Sequence, residues 1–337
     1  MKSNVLVLLL RFLLVILIIS CKSNTIITHS FHNSFIEYKT YKIILPEQFT
    51  SDPEIIHLLK DNTLILVDEN NKRILRYRLD GTTISDFNAS KNIKRIEDVA
   101  LDTSGIMYIL DGLTNMVFKF SKNGNEILRF PVIDGQMLCT IKNQILVYKT
   151  FFNPNNNWSR PVIFMYSGQG KLLDSLGEKP PQPTVGLLPI ATGSIRSNDS
   201  EILFSHGSDY TVKKYKLYDK STDIYMKKPS FYKSLTKMNG LNNSEIKKWY
   251  RTTLLLDSYF YKKDWIVSYY SRVDREKSWL CFQKSNKIIE FSLPNNIFPI
   301  GTNKNNLFFV EEQNVKNNKN ENYIIIKDYK VKKEYIQ

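Results

Sequence analysis

Three polar residues from two separate stretches of the sequence have the chemistry of a binding or proton-transfer site. They are His206, Asp209 and Arg272, and Arg272 is closely followed by Asp274 and Arg275. An imidazole and a carboxylate can exchange protons, and a guanidinium can hold an anion. One histidine with scattered acids does not reach the ligand pattern of a metal site. We therefore predict no metal ligands and no cofactor, and we keep a Ca²⁺ ion in a central channel as an alternative.

The segment 151–160 offers a second kind of site. Its sequence is Phe-Phe-Asn-Pro-Asn-Asn-Asn-Trp-Ser-Arg, in which Trp158 can stack on a sugar ring or an aromatic group and Arg160 can hold a carboxylate. A long connection in a compact domain is usually functional or disordered. The alternative is that Trp158 folds back and packs on its own sheet. We predict a set of binding residues that consists of Trp158, Arg160, His206, Asp209 and Arg272.

Asp68 and Asp111 invite a metal or acid–base interpretation because they occupy equivalent strand ends. An aspartate at a strand end, with Asn or Gly soon after it, more often accepts hydrogen bonds from its own backbone turn. We predict this structural role for both residues. Another histidine, His57, falls within a run that is typical of an inner strand. The chain has no Ser-His-Asp order, paired-carboxylate motif, phosphate-binding glycine loop or CxxC in a credible context.

The elements that position these residues follow a repeated pattern with a period of 43 residues. The matching landmarks are Asp68 and Asp111, Tyr77 and Phe120, and Gly81 and Gly124. A period of this size is typical of an array or a propeller. The four-residue step from the aromatic residue to the glycine occurs again from Tyr166 to Gly170, and it indicates a hairpin. Each copy contains short apolar runs separated by turns, which predict a small antiparallel sheet.

Further strand-like runs follow the third copy. They include 201–204 and 212–215 in a fourth unit, 265–270 and 279–282 in a fifth, and 307–310 and 323–326 in a sixth. Asn242, with Glu245 three residues later, predicts a capped helix over about 243–256. The predicted fold is therefore all-β, a six-bladed β-propeller of four-stranded antiparallel blades with one short helix. The strand-like residues 34–46 precede the first unit, and we predict that they pair with the last blade and close the ring.

Residues 1–20 are predicted to be a lipoprotein signal peptide. They contain Lys2, Arg11 and an apolar run that is too short to span a membrane. The sequence Ile18-Ile19-Ser20-Cys21 resembles the lipobox of bacterial lipoproteins. That resemblance implies acylation of Cys21, and an ordinary secretory signal is the alternative. The remaining boundaries are a lipidated tether at 21–33 and a propeller domain at 34–337.

The composition limits the classes of partner. A formal net charge of +14 indicates attraction to anionic surfaces. The lysines are scattered among Asn and acidic residues without a nucleic-acid-binding signature, so we predict no nucleic-acid partner. Cys139 and Cys281 lie in separate apolar runs, and we expect buried free thiols rather than a disulfide framework. We expect a monomer.

The order of strand, Asp, Asn-Asn, strand and Asp-Gly turn resembles the NHL-type six-bladed β-propeller. Together with the lipobox, it resembles the six-bladed β-propeller lipoproteins of the Bacteroidetes, a family of largely undetermined function. The resemblance implies export and a lipid anchor in the bacterial cell envelope, with the outer membrane as the expected location. Acidic residues after the cysteine often accompany surface export in that family. Here Lys22-Ser23-Asn24 follow it instead, so the side of the membrane is left open.

Two classes of function are consistent with these observations. The first is a non-enzymatic binding or scaffold module that recognises a glycan, a peptide or a protein partner on the face that carries the long loops. The second is a propeller enzyme, a lyase or a lactonase-type hydrolase, that uses a channel-facing His206 and acidic loop residues with a cation in the channel. A ligand that binds only the folded state stabilises it. Thermal stabilisation by divalent cations would therefore favour the enzyme.

Overall fold

The residues that the computed structural model describes form an all-β fold with two short helices. The residues described are 28–47, 49, 55–89, 92–149, 162–177, 193–207, 209–225, 227–234, 242–262, 264–285, 287–303, 305–311 and 323–336. They form five four-stranded sheets and one five-stranded sheet, each built mainly from strands that follow one another in the chain. Each sheet is one blade of a six-bladed β-propeller, as the repeat predicted.

The chain enters the fold through β1 (Thr28–Ser30), α1 (Phe31–Ser34) and β2 (Phe35–Ile44). Blade 1 contains β3 (Ile55–Leu58), β4 (Thr63–Asp68), β5 (Arg73–Arg78) and β6 (Thr83–Asn88). Blade 2 contains β7 (Ile96–Leu101), β8 (Met107–Asp111), β9 (Met116–Phe120) and β10 (Glu126–Pro131). Blade 3 contains β11 (Met137–Ile141), β12 (Gln144–Tyr148), β13 (Ile163–Ser167) and β14 (Leu172–Leu176).

The second half of the ring repeats this arrangement. Blade 4 contains β15 (Gly193–Ser197), β16 (Glu201–His206), β17 (Val212–Lys216) and β18 (Thr222–Tyr225). The helix α2 (Asn243–Tyr250) follows it. Blade 5 contains β19 (Thr253–Tyr261), β20 (Trp265–Arg272), β21 (Ser278–Lys284) and β22 (Lys287–Leu293). Blade 6 contains β23 (Ile297–Asn303), β24 (Asn306–Glu311) and β25 (Tyr323–Val331).

The N-terminal strand β2 supplies the fourth and outermost strand of blade 6. It pairs with β25 in an antiparallel register that runs from Phe35 opposite Val331 to Ile44 opposite Tyr323. Phe35 and Ile43 are buried in this position. The expected pairing of residues 34–46 with the last blade is therefore confirmed, and it joins the beginning of the propeller to its end.

Contact with the propeller already begins at Thr28, within the segment that the sequence analysis assigned to the tether. β1 pairs in parallel with β22 and extends blade 5 to five strands. Phe31 is buried, and its ring stacks on Phe35 with 4.4 Å between the centroids. The Thr28 hydroxyl donates to the buried carboxylate of Glu290 at 3.1 Å. These contacts attach the N-terminal segment to blades 5 and 6 together.

The repeated glycines form the same turn in three blades. Gly81, Gly124 and Gly170 have φ angles of 89°, 80° and 78°. In each turn the glycine N–H donates to the carbonyl oxygen of the residue three positions earlier, at 2.9–3.0 Å. Glycine adopts positive φ without a steric penalty. The 43-residue spacing therefore reflects one hairpin, between the third and fourth strands, that recurs at the same place.

The predicted helix over 243–256 is shorter in the structure. Asn242 caps it by accepting from the backbone N–H groups of Ser244 and Glu245, as the sequence indicated. The helix ends at Tyr250, and residues from Thr253 onward form the inner strand of blade 5 instead. β-branched residues and a continuous apolar run suit a buried strand, and the run Thr252-Thr253-Leu254-Leu255-Leu256 has this composition. No helix among the described residues combines the length and the hydropathy needed to cross a membrane.

The core lies between neighbouring blades rather than within one sheet. Between blades 5 and 6, for example, Trp265, Phe282 and Phe309 pack in one cluster with Phe31 and Phe35. Cys139 and Cys281 are both free and buried, as expected. Burial raises the pKa of each thiol, so neither is prepared to act as a thiolate nucleophile.

The two faces of the ring carry connections of very different length. The hairpin face carries only short turns, at 59–62, 79–82, 102–106, 121–125, 142–143, 168–171, 198–200, 217–221, 262–264, 285–286 and 304–305. The loop face carries the connections between the second and third strands and the crossovers between blades. Its long members are 45–54, 149–162, 177–192, 226–252 and 312–322. Every long connection of the propeller therefore has its two ends on the loop face.

Candidate functional site

The innermost strands of the blades surround the propeller axis and line its central channel. Polar groups on these strands join blade 1 to blade 2 and blade 2 to blade 3. Nε2 of His57 lies 2.7 Å from Oδ1 of Asp98, and the other carboxylate oxygen of Asp98 accepts from the Leu138 backbone N–H at 2.6 Å. The Thr140 hydroxyl also donates to the Leu101 carbonyl at 2.6 Å. These bonds connect half of the ring.

The other half is joined in the same way. Blade 3 is linked to blade 4 by the Ser197 hydroxyl, which donates to the Thr140 carbonyl at 2.6 Å. Blade 4 is linked to blade 5 by Arg196, whose guanidinium donates to Asp257 at 2.6 Å. Blade 5 is linked to blade 6 by the Tyr259 hydroxyl, which donates to the Pro299 carbonyl at 2.9 Å.

The last junction, between blades 6 and 1, is closed by the Asn303 side-chain amide, which donates to the side-chain oxygen of Asn62. Hydrogen bonds between neighbouring inner strands or their hairpins therefore run through all six blades. We call this set the axial belt. It consists of the bonds made by His57, Asp98, Thr140, Ser197, Arg196, Asp257, Tyr259, Asn303 and Asn62.

Asp98 has the most donors of any residue in the axial belt. It accepts from His57, from Leu138 N–H and from its neighbour Val99 N–H, and its side chain is 6% exposed. An ionised carboxylate can only accept, so Nε2 of His57 is the donor of this bond and carries its proton. Asp98 thus fixes the orientation of His57 and holds a proton on Nε2. From the sequence we predicted only that His57 lies on an inner strand, and we predicted no role for Asp98.

Arg196 and Asp257 form the second charged pair of the axial belt. Their side chains are 29% and 17% exposed, and the guanidinium also lies 5.6 Å from the Tyr259 ring centroid. The phenol of Tyr259 is buried, and burial raises its pKa well above the ordinary value. The pair is partly open to the channel, so Arg196 has the chemistry to contact an anionic group there.

The hairpin face has a further charged contact between blades on opposite sides of the ring. Nζ of Lys60, in the first hairpin of blade 1, lies 3.2 Å from the carboxylate of Asp199, in the first hairpin of blade 4. The Asp199 side chain is 94% exposed, so this ion pair adds little stability. Its position nevertheless shows that side chains of opposite blades meet at the hairpin end of the channel.

His206 lies between blades 3 and 4 rather than on an inner strand. It is the last residue of β16, is 3% exposed, and its Nδ1 lies 2.5 Å from the Tyr148 hydroxyl. That hydroxyl also donates to the Ser205 carbonyl at 2.7 Å. A phenol has one proton and a carbonyl only accepts, so Nδ1 of His206 is the donor to Tyr148. The structure therefore fixes the tautomer of this histidine.

Asp209 and Arg272 each make contacts with residues close to them in the sequence. The Asp209 carboxylate accepts from the Tyr210 backbone N–H at 2.7 Å. Arg272, the last residue of β20, forms ion pairs with Asp274 and, at 3.2 Å, with Glu276. These contacts place His206, Asp209 and Arg272 in the loop-face half of blades 4 and 5, outside the axial belt. Trp158, Arg160 and Cys21 lie outside the described residues.

Asp68 and Asp111 have the structural role that the sequence predicted. The carboxylate of Asp68 accepts from the backbone N–H of Asn71 at 3.0 Å and from its side chain at 2.7 Å. Asp111 accepts from the N–H groups of Lys94 and Leu113, and more weakly from those of Arg95 and Thr114, at 2.8–3.3 Å. It therefore ties the crossover from blade 1 to the loop of blade 2. No group of three or more His, Cys, Asp or Glu side chains suited to a metal occurs among the described residues.

Comparison with known proteins gives matches at the level of structure. A scan of protein-family models finds none that matches this chain, and no curated protein sequence matches it. A member of the DUF4221 family from Bacteroides vulgatus aligns with a TM-score of 0.63 and 13% identity, over 89% of this chain and 99% of that one. A putative exported protein from Bacteroides fragilis aligns with a TM-score of 0.65 and 10% identity, over 90% and 98%.

A third match is a catalytically inactive virginiamycin B lyase from Staphylococcus aureus with quinupristin. It aligns with a TM-score of 0.51 and 11% identity, over 86% of this chain and 83% of that one. At such identities a likeness shows the fold alone, because one fold supports many unrelated functions. The chain is thus a six-bladed β-propeller with Bacteroides structures among its structural neighbours, DUF4221 included.

Proposed function

We propose that this protein is a lipid-anchored binding module of the bacterial cell envelope, which recognises a glycan, a peptide or a protein partner on its loop face. The observation that carries the proposal is that every long connection between the strands has its two ends on the loop face. Loops vary in length where they contribute to binding, while the scaffold beneath them stays regular. The hairpin face, with turns of only a few residues, lacks this variation.

The axial belt supports the same interpretation. Its polar side chains are engaged with neighbouring blades, and Asp98 alone accepts three hydrogen bonds. Such a belt makes the ring a rigid platform, and a rigid platform lowers the entropy cost of holding binding loops in place. A scaffold of this kind is what a recognition module requires.

The proposed lipid anchor is supported by the sequence around Cys21 and by one of the known structures that this fold resembles. The lipobox resemblance implies acylation of Cys21, and one structural neighbour is a putative exported protein of a Bacteroides species. The NHL-type repeat and the envelope location are part of this proposal. The test is Cys21→Ser in the native host. We expect it to abolish palmitate labelling and membrane retention, and full membrane retention of the variant would contradict the anchor.

The binding part is tested by altering each face separately. The chain is screened on a glycan array and on a displayed peptide library, and each hit is measured again by calorimetry. In one variant residues 150–161 are replaced by an Asn-Gly turn, which leaves the strands β12 and β13 intact. In the control variant Tyr218, which is 79% exposed on the hairpin face, is changed to Ala. Loss of the hits in the first variant alone is the expected result, and their loss in the control alone would contradict the proposal.

A second candidate is a propeller enzyme, and the His57–Asp98 pair is the observation that favours it. A carboxylate that fixes the orientation of a histidine is one half of a general-base arrangement. His57 occupies the channel wall with its side chain 18% exposed. Hydrolysis of a lactone panel that His57→Gln abolishes, at unchanged stability, would favour this candidate. Stabilisation by Ca²⁺ that a chelator reverses would add a cation to it.

A further inference from the structure

The outer edge of blade 6 combines exposed apolar side chains with a cluster of lysines. The edge is β2, a strand of 10 residues. Ile36, Tyr38 and Ile44 are 54%, 63% and 59% exposed on it. Lys39 and Lys42 are exposed on the same strand. Nζ of Lys330, on the adjacent β25, lies 3.6 Å from the centroid of the Tyr38 ring. We call these six side chains the blade 6 rim.

Lysines outnumber acids on the strand pair β2 and β25, which carries four lysines and two acids, Glu37 and Asp328. Glu37 is engaged, because the Thr40 hydroxyl donates to it at 2.5 Å and Lys327 lies 3.8 Å from it. The side chain of Asp328, which faces Lys39 across the strand pair, is buried. The blade 6 rim therefore presents positive charge and apolar surface together. The outermost strands β6, β14 and β18 differ, since each carries one aspartate and no lysine or arginine.

The position of the blade 6 rim relative to the proposed anchor is the second observation. Thr28 lies on the outer edge of blade 5, and β2 follows it along the outer edge of blade 6. Thr28 lies only seven positions after Cys21 in the chain, with six residues between them. A fully extended chain of that length reaches about 25 Å at most. A lipid at Cys21 would therefore hold the outer edges of blades 5 and 6 close to the bilayer, while blade 3 lies on the opposite side of the ring.

We propose that the blade 6 rim docks on the surface of an anionic phospholipid membrane. Tyrosine and aliphatic side chains enter the headgroup region, and lysines beside them pair with lipid phosphates. A single acyl chain gives weak, reversible anchoring, so a basic surface next to it is the usual second contribution. Docking at this rim orients the axis of the propeller along the membrane plane and leaves the loop face open at the side. The inference rests on the lipid anchor of the proposed function.

The test measures vesicle binding without the acyl group, so that docking and anchoring are separated. The protein is the unacylated chain 22–337, which contains every described residue. Vesicles of phosphatidylglycerol and phosphatidylethanolamine are compared with vesicles of phosphatidylcholine by sedimentation. We expect binding to the anionic vesicles only. The double variant Lys39→Glu/Lys42→Glu is expected to weaken it about tenfold or more, since each lysine near an anionic surface contributes to binding.

The matched control changes charge equally on the opposite side of the ring. Lys171→Glu/Lys220→Glu alters two exposed lysines on blades 3 and 4, and we expect it to retain most of the binding. Equal losses in the two double variants would overturn the proposal, because net charge alone would then explain binding. Failure of the unacylated chain to bind anionic vesicles would also overturn it. The anchor would survive that outcome if Cys21 still incorporates palmitate.

A fluorescent label reports the docked side directly. The single variants Tyr38→Cys and Leu173→Cys place an environment-sensitive dye on the edges of blades 6 and 3. The native Cys139 and Cys281 are buried and compete little for the dye. We expect a blue shift and quenching by lipid-borne quenchers at position 38 and neither at position 173. The same response at both positions would contradict docking at the rim. If the blade 6 rim binds a second copy of the chain or another protein but binds no vesicles, the proposal of membrane docking is wrong.

Discussion

His57 and Asp98 are 41 residues apart in the chain, and their side chains lie 2.7 Å apart at the junction of blades 1 and 2. The same carboxylate accepts from Leu138 N–H in blade 3. One aspartate therefore connects three consecutive blades at the axis. A buried carboxylate that accepts hydrogen bonds at both oxygens stabilises the fold only while its donors remain paired. This makes Asp98 the first residue at which the axial belt can be tested.

We predict that Asp98→Ala destabilises the fold strongly. The substitution leaves the backbone N–H groups of Val99 and Leu138 and the His57 ring without their acceptor. A buried donor that loses its partner costs about 1–3 kcal/mol, so the total is expected to reach about 3 kcal/mol or more. The free energy of unfolding is measured by urea denaturation. The control is Asp199→Ala, an exposed aspartate whose loss should change the midpoint little. Equal unfolding midpoints for the two variants would contradict the predicted contribution of Asp98 to the stability of the fold.

Asp111 and Asp328 are expected to make the stability of the fold depend on pH in opposite directions. Burial opposes the charge of Asp111, but the N–H groups of Lys94 and Leu113 outweigh it and lower the pKa. A lowered pKa stabilises the fold above the unfolded value of about 4, and the stabilisation is lost as the pH falls through the folded pKa. Asp111→Asn should therefore cost about 2 kcal/mol at neutral pH. The difference from the native chain should shrink as the pH approaches about 3.

Asp328 should show the reverse behaviour. Burial raises its pKa, although Asn306 donates to it at 2.8 Å. The ionised form is penalised in the folded state, so the penalty is absent below the unfolded pKa of about 4 and complete above the folded pKa. Asp328→Asn is expected to raise the unfolding midpoint at neutral pH and to leave it unchanged at about pH 3. Melting curves of both variants across this range check the two signs, and parallel curves for Asp111→Asn and Asp328→Asn would show that the assignments are wrong.

We predict that removing more of the N-terminal strands lowers the stability of the fold further. A chain that begins at Glu47 lacks β2 and exposes the side of β25 that β2 covers, and it is expected to unfold at a much lower temperature or to aggregate. A chain that begins at Ser30 keeps β2 and loses Thr28 and His29, with the Thr28 contact to Glu290 and the pairing of these two residues with β22. Its melting temperature should fall only slightly. Calorimetry of both chains measures the order, and equal melting temperatures would remove the argument that β2 closes the ring.

The architecture was predictable from local signals that repeat. Gly81 and Gly124 revealed the period because a tight hairpin requires positive φ at the same point of each blade. The inner strands were harder to recognise. Pro299 and Gly301 interrupt β23, and the apolar run from Leu254 to Leu256 continues directly from a well-capped helix. Neither pattern distinguishes a buried strand from its neighbours without the ring around it.

The axial belt was not predictable from spacing. His57 and Asp98 come from successive blades, but they are not equivalent positions of the 43-residue repeat, so the repeat did not bring them to notice. Arg196 and Asp257 are likewise separated by three strands and by a crossover that contains a helix. The one usable signal was the presence of polar residues within inner-strand runs that are otherwise apolar. Polar residues in such positions require partners, and neighbouring inner strands are the nearest source.

The last prediction concerns Trp158, which lies outside the described residues on a connection whose ends are on the loop face. If Trp158 binds the ligand, Trp158→Ala should change the free energy of unfolding by only ~0.5 kcal/mol and should abolish binding. Trp265 is the matched core residue, since it is 4% exposed and packs between blades 5 and 6. Trp265→Ala should cost about 3–5 kcal/mol. Tyr218→Ala, on the hairpin face, is the control for binding and should leave it unchanged.

Urea midpoints and calorimetry on the three variants decide between packing and recognition. The same comparison is made for Arg160, whose guanidinium lies two residues from the Trp158 indole in the sequence. It should contribute to the binding of an acidic ligand and not to the stability of the fold. Arg160→Ala is therefore expected to weaken binding of an acidic hit about tenfold at an unchanged midpoint. If Trp158→Ala and Trp265→Ala destabilise equally, Trp158 is a packing residue. The binding site must then be sought at His206, Asp209 and Arg272, in the loop-face half of blades 4 and 5.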